Sequence, residues 1–313
     1  MILDAVQIVL TMLILMAIGY FAAMKGILTP QNAAFVSKLV INIALPPMML
    51  TNMVSYFTRD SFMQAGITLL IPFLTVASSY FLALFVARMM KIPRGRRGVF
   101  CSMFAFSNTV FIGLPINQAI FGVKSTPYAL LYFAGNTSLF WIMGAGGIRM
   151  DGDDTQARFT KESLKKIFSP ALIAFLIGVA FVLIGVQLPK FVLDSCKYIS
   201  NLCTPLSLIY IGYVIYDMGF RNIRLDRAGI VALIGRFAIT PLIGYVFVRL
   251  LGAQGVMQQV FVLQAAMPVM SQIPILAGAY HSDSRFAATI GTLSTLLSIL
   301  FIPIYTWLFS LVF

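Results

Sequence analysis

The sequence predicts an all-α polytopic membrane protein with ten transmembrane helices, on the evidence of its composition and its long apolar runs. Of the 313 residues, 60% are hydrophobic and only 10% are charged, and the mean hydropathy is +0.93. Soluble domains carry nearer ~25% charged residues. A disordered chain would be poor in aromatic residues, which make up 13% of this one. The apolar runs are continuous rather than short and alternating, which excludes an outer-membrane barrel.

Ten runs are long enough to cross a bilayer, because a spanning helix needs roughly 20 apolar residues. Numbered as spans 1 to 10, they are 3–24, 33–57, 62–87, 98–121, 127–148, 168–187, 195–216, 228–250, 256–280 and 286–312. The first run has Asp4 in place of a basic leader. It is also longer than the apolar part of a signal peptide, so we expect it to stay as a membrane anchor.

Lys and Arg are distributed unequally between the two sets of loops. Fifteen of the 22 lie in the loops after spans 1, 3, 5, 7 and 9, five lie in the opposite loops or at the span ends that border them, and Lys38 and Arg236 lie further inside runs. Cytoplasmic loops carry the excess of basic residues in membrane proteins. The sequence therefore predicts a cell-membrane protein with both termini outside, and its net charge of +12 needs no nucleic-acid partner.

A shift of 159 residues brings the two halves of the chain into coincidence. The matching residues are Ile18-Gly19 with Ile177-Gly178, Gly26 with Gly185, Pro30 with Pro189, Lys38 with Lys197, Asn42 with Asn201, Pro46 with Pro205, and Pro115 with Pro274. A polar stretch at 149–167 separates residues 1–148 from 168–313. We therefore predict two five-helix repeats joined by a cytoplasmic linker. Because five is odd, the repeats are inverted, which is typical of secondary transporters.

Spans 4 and 9 are expected to be broken helices. Span 4 contains Asn108 and Pro115, and span 9 contains Pro268 and Pro274 among Gln and Ser residues. Proline removes an N–H and clashes with the preceding turn, and the freed carbonyls are costly in lipid unless they line a polar cavity. Broken helices also place half-helix N-termini inside the membrane, where they suit a carboxylate. The alternative is that these prolines only kink packed helices.

Several motifs resemble those of one transporter family. They are Ser107-Asn-Thr-Val-Phe-Ile-Gly-Leu-Pro115 in span 4, Ala265-Ala-Met-Pro268 and Ala277-Gly-Ala-Tyr280 in span 9, and Gly26-Ile-Leu-Thr-Pro30 and Asn42-Ile-Ala-Leu-Pro46 near the beginning. Together they resemble the auxin efflux carrier family of membrane transporters over essentially the whole chain. The resemblance implies ten helices in two inverted repeats, with spans 4 and 9 crossing at their prolines.

The same resemblance implies a mechanism and a class of substrate. It implies a mobile transport domain, a scaffold domain through which the protein forms a homodimer, and elevator-type alternating access in the lipid bilayer. The family includes plant auxin exporters and bacterial carriers of malate, malonate and related organic anions. Unlike the plant exporters, this chain has only a short central linker, so regulation through a long loop is not expected.

Polar residues and prolines near the predicted crossing are the candidate substrate-binding residues. They are Asn108, Thr109, Pro115, Asn136, Trp141, Arg236, Gln264, Pro268, Ser271, Gln272 and Pro274. The Asn108 amide can hold a carboxylate or stabilise unwound backbone, and Thr109 can instead bond to its own helix. For Gln264, Ser271 and Gln272 the alternative is hydrogen bonding between helices.

Three further candidates rest on the resemblance or on their position. By the resemblance, Asn136 and Trp141 fall where the plant carriers contact their ligand, although Trp141 also suits an interfacial anchor. Arg236 is a charge inside span 8, which by default suggests function. It can attract anions, bond to carbonyls of a broken helix, or extend its head group to the membrane surface.

The sequence favours a secondary carrier for a small organic anion, with export driven by an inside-negative potential. All ten acidic residues lie at span ends or in loops, so a proton relay in the membrane core has no carrier. A sodium- or proton-coupled symporter is the alternative, followed by a channel or membrane sensor. We see no catalytic or metal-ligand constellation, and we expect no enzyme activity, cofactor or metal.

Overall fold

The computed structural model describes residues 2–60, 63, 66–152, 170–218 and 225–312. In these ranges the chain forms twelve helices of eight or more residues and no β-strand. They are α1 (Ile2–Met24), α2 (Pro30–Tyr56), α3 (Gly66–Met89), α4 (Arg94–Ala105), α5 (Thr109–Phe121), α6 (126–151), α7 (Pro170–Ile184), α8 (Lys190–Asp217), α9 (Arg227–Leu250), α10 (Gly255–Ala265), α11 (Gln272–Ala279) and α12 (Ser284–Val312). Most of the predicted linker 149–167 lies outside the described residues.

The predicted all-helical class is confirmed within these ranges. By length and composition, α2, α3, α8, α9 and α12 are each long and apolar enough to cross a membrane. Shorter apolar helices occupy Leu13–Met24, Thr109–Phe121 and Leu172–Ile184. Spans 4 and 9 each correspond to two helices, and each of the other predicted spans overlaps one.

Single π-helical turns occur just before prolines in three helices. They cover Val40–Ala44 before Pro46, Thr109–Gly113 before Pro115, and Gly235–Ile239 before Pro241. Proline cannot donate to the carbonyl one turn back and clashes with it. A wider turn at this point adjusts the hydrogen-bond ladder, and such π-bulges are frequent at functional sites.

The chain divides into two compact units, each assembled from segments of both halves. The first unit consists of the described parts of Met1–Gly66, Val110–Leu130 and Phe168–Gly219. The second unit consists of the described parts of Ile67–Thr109, Leu131–Ile167 and Phe220–Phe313.

Two helix pairs of the first unit approach closely at glycines. A Cβ on Gly19 of α1 would lie 2.0 Å from the carbonyl oxygen of Ile209 in α8. A Cβ on Gly178 of α7 would lie 3.4 Å from the carbonyl oxygen of Leu50 in α2. Gly19 and Gly178 are 159 positions apart, and so are their partners Leu50 and Ile209. This is the same shift as in the sequence repeat. The contact at Gly19 excludes any larger side chain.

Ion pairs and helix caps link three helices at one end of the second unit. Arg96 of α4 donates through Nε to Asp283 at 2.6 Å and also bonds to Asp226. Asp226 accepts the Gly229 N–H at the start of α9, and Asp283 accepts the Phe286 N–H at the start of α12. Each carboxylate therefore caps a helix N-terminus while it forms an ion pair with the same guanidinium.

Asp151 holds the beginning of α4 against the end of α6. Its Oδ2 accepts the backbone N–H groups of Gly98 and Val99 at 2.5 and 3.0 Å. Burial raises the pKa of Asp151 to about 7, although these two hydrogen bonds act in the opposite direction. The end cluster, defined as Arg96, Asp151, Asp226 and Asp283, thus contains every carboxylate that the structure describes in the second unit.

Candidate functional site

The crossing, defined as residues 106–108 between α4 and α5 and residues 266–271 between α10 and α11, is a pair of unwound segments. Both segments belong to the second unit. They meet at an antiparallel β-bridge between Ser107 and Val269. The two helix breaks predicted from the sequence are therefore present.

The two segments of the crossing supply hydrogen-bond partners to each other. The Asn108 N–H donates to the Pro268 carbonyl at 2.8 Å, and the Met270 N–H donates to the Phe106 carbonyl at 3.2 Å. Buried backbone groups without partners are costly, and non-helical backbone at membrane depth persists only where such partners exist. The bridge therefore removes part of the cost of breaking both helices.

The expected position of the crossing at the prolines is right for Pro268 and wrong for Pro115 and Pro274. Pro115 is the second residue of the α-helical part of α5, which follows the π turn, and Pro274 lies in the first turn of α11. The break in span 4 contains no proline. Its backbone is unwound all the same, and the β-bridge and one asparagine side chain satisfy its hydrogen-bonding groups. Pro268 alone adjoins the bridged residue Val269.

That asparagine is Asn136 of α6. It is fully buried, its Oδ1 accepts the Ser107 N–H at 3.1 Å, and its Nδ2 donates to the Ser107 carbonyl at 3.0 Å. The primary amide thus replaces both backbone partners that Ser107 lost when the helix broke. The structure assigns Asn136 a role in holding the crossing.

Asn108 and Ser271, predicted from different spans, lie in contact. The Asn108 Nδ2 donates to the Ser271 Oγ at 2.6 Å, and Asn108 is 4% exposed. Gln264, which is fully buried, donates through Nε2 to the Thr109 carbonyl at 3.3 Å. Four of the predicted residues are therefore gathered at the point where the two broken helices meet.

Arg236 of α9 is fully buried and contacts the end of a broken helix. Its Nη2 donates to the carbonyl oxygen of Ala265, the last residue of α10. Nε and Nη1 have no hydrogen-bond partner among the described residues. The side chain is 0% exposed, so the alternative of a head group at the membrane surface is wrong.

The remaining candidates lie further from the bridge in the chain or are less buried. Trp141 is half-buried in a π turn of α6, with its ring edge-on to Phe140 at 5.3 Å. Gln272 begins α11 and is half-buried. Pro274 packs close to Gly291 of α12, where an added Cβ would lie 3.3 Å from its Cγ. Pro115 belongs to the first unit.

Comparison with known proteins identifies the family of the chain. The family model described as "Membrane transport protein" matches residues 4–306. The chain belongs to this family, the auxin efflux carrier family. The family is one of multi-pass membrane transporters, so the chain is a membrane-embedded transport protein.

Two archaeal members of the auxin efflux carrier family are similar over nearly their full length. One, from Methanothermobacter thermautotrophicus, is named "Uncharacterized transporter" and is 29% identical over 307 residues, covering 96% of this chain and 97% of that protein. The other, a transporter from Methanocaldococcus jannaschii, is 24% identical over 308 residues, covering 96% and 98%.

Two hydroxyl side chains at the crossing were not predicted from the sequence. Thr240 of α9 donates to the Phe104 carbonyl at 3.0 Å, near the end of α4. Ser294 of α12 accepts the Val269 N–H at 3.1 Å. Thr240 follows Arg236 by four residues and so shares its helix face, which is a usable signal. No comparable sequence signal marks Ser294, since serine is common in membrane helices and this one has no distinctive spacing.

We predict that Asn136→Ala destabilises the protein strongly. It leaves the buried N–H and carbonyl of Ser107 without partners, at roughly 1–3 kcal/mol for each group. The melting temperature of the purified protein in detergent should fall by at least about 5 °C.

The matched control is Asn52→Ala. Asn52 is half-buried, and its amide bonds to the Met48 carbonyl one turn back in α2. This variant should stay within about 2 °C of the wild type, because surface-like changes away from special features cost little. Equal losses in the two variants would contradict the role given to Asn136.

Proposed function

We propose that the protein is a secondary transporter that moves a small organic anion across the cell membrane. The substrate is a mono- or dicarboxylate, of the auxin-like or the malate- and malonate-like kind. The observation that carries the proposal is the charge at the crossing, which is positive and lacks a described carboxylate.

The charges at the crossing can be added up. The ends of α4 and α10 contribute about −0.5 each, and the starts of α5 and α11 contribute about +0.5 each. These partial charges cancel. Arg236 adds a full positive charge, and no described carboxylate lies within 4 Å of it. A net charge of about +1 in a buried site favours an anionic ligand, and the donors at half-helix N-termini suit a carboxylate.

We further propose elevator-type alternating access between two inverted five-helix repeats. The crossing and the described side chains that stabilise it belong to the second unit, which suits a transport domain that moves as one body. The first unit is then the scaffold and the surface of a homodimer. The equivalent glycine contacts at Gly19 and Gly178 support the inverted repeat.

The proposal predicts electrogenic transport, because each turnover carries a negative charge without a co-ion. One charge moving across 100 mV gains ~2.3 kcal/mol. In proteoliposomes loaded with labelled malonate, malate or indole-3-acetate, a potassium–valinomycin potential negative inside should accelerate efflux of a transported anion. The opposite potential should slow it, without sodium or a pH gradient.

Protein-free liposomes under the same potential provide the control for leakage. Flux that ignores the potential and requires sodium or a proton gradient would replace this proposal with a coupled symporter. Counterflow of labelled against unlabelled substrate separates a carrier from a channel, because only a carrier exchanges one for the other.

We predict that Asn108→Ala weakens substrate binding without unfolding the protein. Loss of a charge-assisted hydrogen bond to a carboxylate costs roughly 1.5–3 kcal/mol, so the apparent KM should rise about 10- to 150-fold. The Asn52→Ala variant should transport like the wild type. A normal KM in Asn108→Ala, with normal folding, would remove Asn108 from the substrate site.

The charge bias of the loops leads us to propose that both termini face outside, and this orientation can be tested with single cysteines. Lys124 and Arg94 are exposed and follow spans 4 and 3. In a Cys196→Ser background, Lys124→Cys should react with an impermeant maleimide in intact cells. Arg94→Cys should react only after permeabilisation. The reverse pattern would invert the topology.

A further inference from the structure

Two side chains of α9 cover the carboxyl ends of both broken helices. Arg236 donates to the last carbonyl of α10, and Thr240 donates to the Phe104 carbonyl near the end of α4. Such ends carry partial negative charge and carbonyls without partners in their own helix. In transporters with broken helices, half-helix C-termini and unwound carbonyls are also the groups that coordinate a coupling sodium ion.

Arg236 differs from Thr240 because it brings a full positive charge to this position. Its guanidinium is 0% exposed, and no described carboxylate lies within 4 Å of it. The described carboxylates of the second unit lie in the end cluster, two of them bonded to Arg96. The positive charge of Arg236 is therefore set against carbonyl dipoles instead of a carboxylate.

A buried cation opposed only by dipoles is unusual, since charged groups inside a membrane protein are normally paired. The contact made by Nη2 with a half-helix C-terminus is the contact that an alkali cation would make. With Arg236, the charges at the crossing add up to about +1. A carrier without this arginine would reach the same sum only when it binds one sodium ion.

We propose that Arg236 takes the place of a bound alkali cation at the end of α10. It is a positioning residue that permanently supplies the charge which a sodium-coupled carrier acquires with each turnover. Its removal should create a requirement for sodium, and the wild type should have none. The consequence for coupling rests on the proposed function, but replacement of a cation is a property of the folded protein and is tested on it.

The test measures melting temperature against sodium concentration in detergent. Sodium chloride replaces choline chloride at constant ionic strength, for the wild type, Arg236→Ser, Arg236→Lys and Thr240→Val. We expect Arg236→Ser to melt lower than the wild type in choline. Its melting temperature should rise by roughly 3 °C when sodium reaches ten times its dissociation constant.

The wild type and Arg236→Lys should not respond to sodium, since each carries its own cation. Thr240→Val, which loses the other carbonyl cap without a change in charge, should melt lower and also not respond. A sodium response in the wild type or Thr240→Val, or none in folded Arg236→Ser, overturns the proposal.

If Arg236→Ser does not fold, the wild type and Arg236→Lys still decide the question. A sodium-stabilised wild type, or an Arg236→Lys protein that requires sodium to fold, contradicts the proposal, and sodium independence of both supports it. None of these measurements depends on transport. A failure of the anion-carrier proposal in proteoliposomes is therefore distinguishable from a failure of this one.

Discussion

The fold depends on satisfying the backbone of two helices that break where there is no water to replace the lost hydrogen bonds. The β-bridge between Ser107 and Val269 satisfies part of the freed backbone. Asn136 holds both backbone groups of Ser107, and Ser294 accepts the Val269 N–H. Each unsatisfied buried group costs about 1–3 kcal/mol. Neutral side chains and the bridge thus keep the crossing unwound, while one cation faces a helix end.

Electrostatics links this backbone arrangement to the proposed anion. Two helix beginnings and two helix ends meet at the crossing, and their partial charges cancel. Arg236 determines the sign because it lies on the negative end of α10. The described acidic residues of the second unit are at the end cluster, where Arg96 forms ion pairs with two of them. None of the described carboxylates of the second unit is therefore paired with Arg236, which leaves the positive charge at the crossing in place.

Composition, proline positions and isolated polar residues were enough to predict the helical class, the two breaks and the candidate residues Asn108 and Ser271, which the structure brings into contact. The location of the span 4 break was missed, because Asn136 stabilises unwound backbone at Ser107 where there is no proline. The role of Asn136 was also missed, since an amide bonded to backbone has the same sequence pattern as one bonded to a ligand. Thr240 and Ser294 act across 136 and 25 positions in the chain. Hydroxyls in apolar helices commonly bond to their own helix, so the sequence gives no sign of the contact made by Ser294, and for Thr240 it gives only the shared helix face with Arg236.

The way the crossing is stabilised constrains how a carrier of this kind can move. Its supporting side chains come from α6, α9 and α12, and all belong to the second unit. Sliding α4 past α10 would break both backbone hydrogen bonds of the bridge. It would also break one of the two contacts made by α9, because Thr240 bonds to α4 and Arg236 bonds to α10. At about 1 kcal/mol or more for each buried bond, that loss is a large part of the stability of a typical domain, about 5–15 kcal/mol. Displacement of the second unit as one body leaves these bonds intact. In the proposed elevator mechanism, the hydrogen bonds of the crossing would therefore move with the second unit and would not have to break.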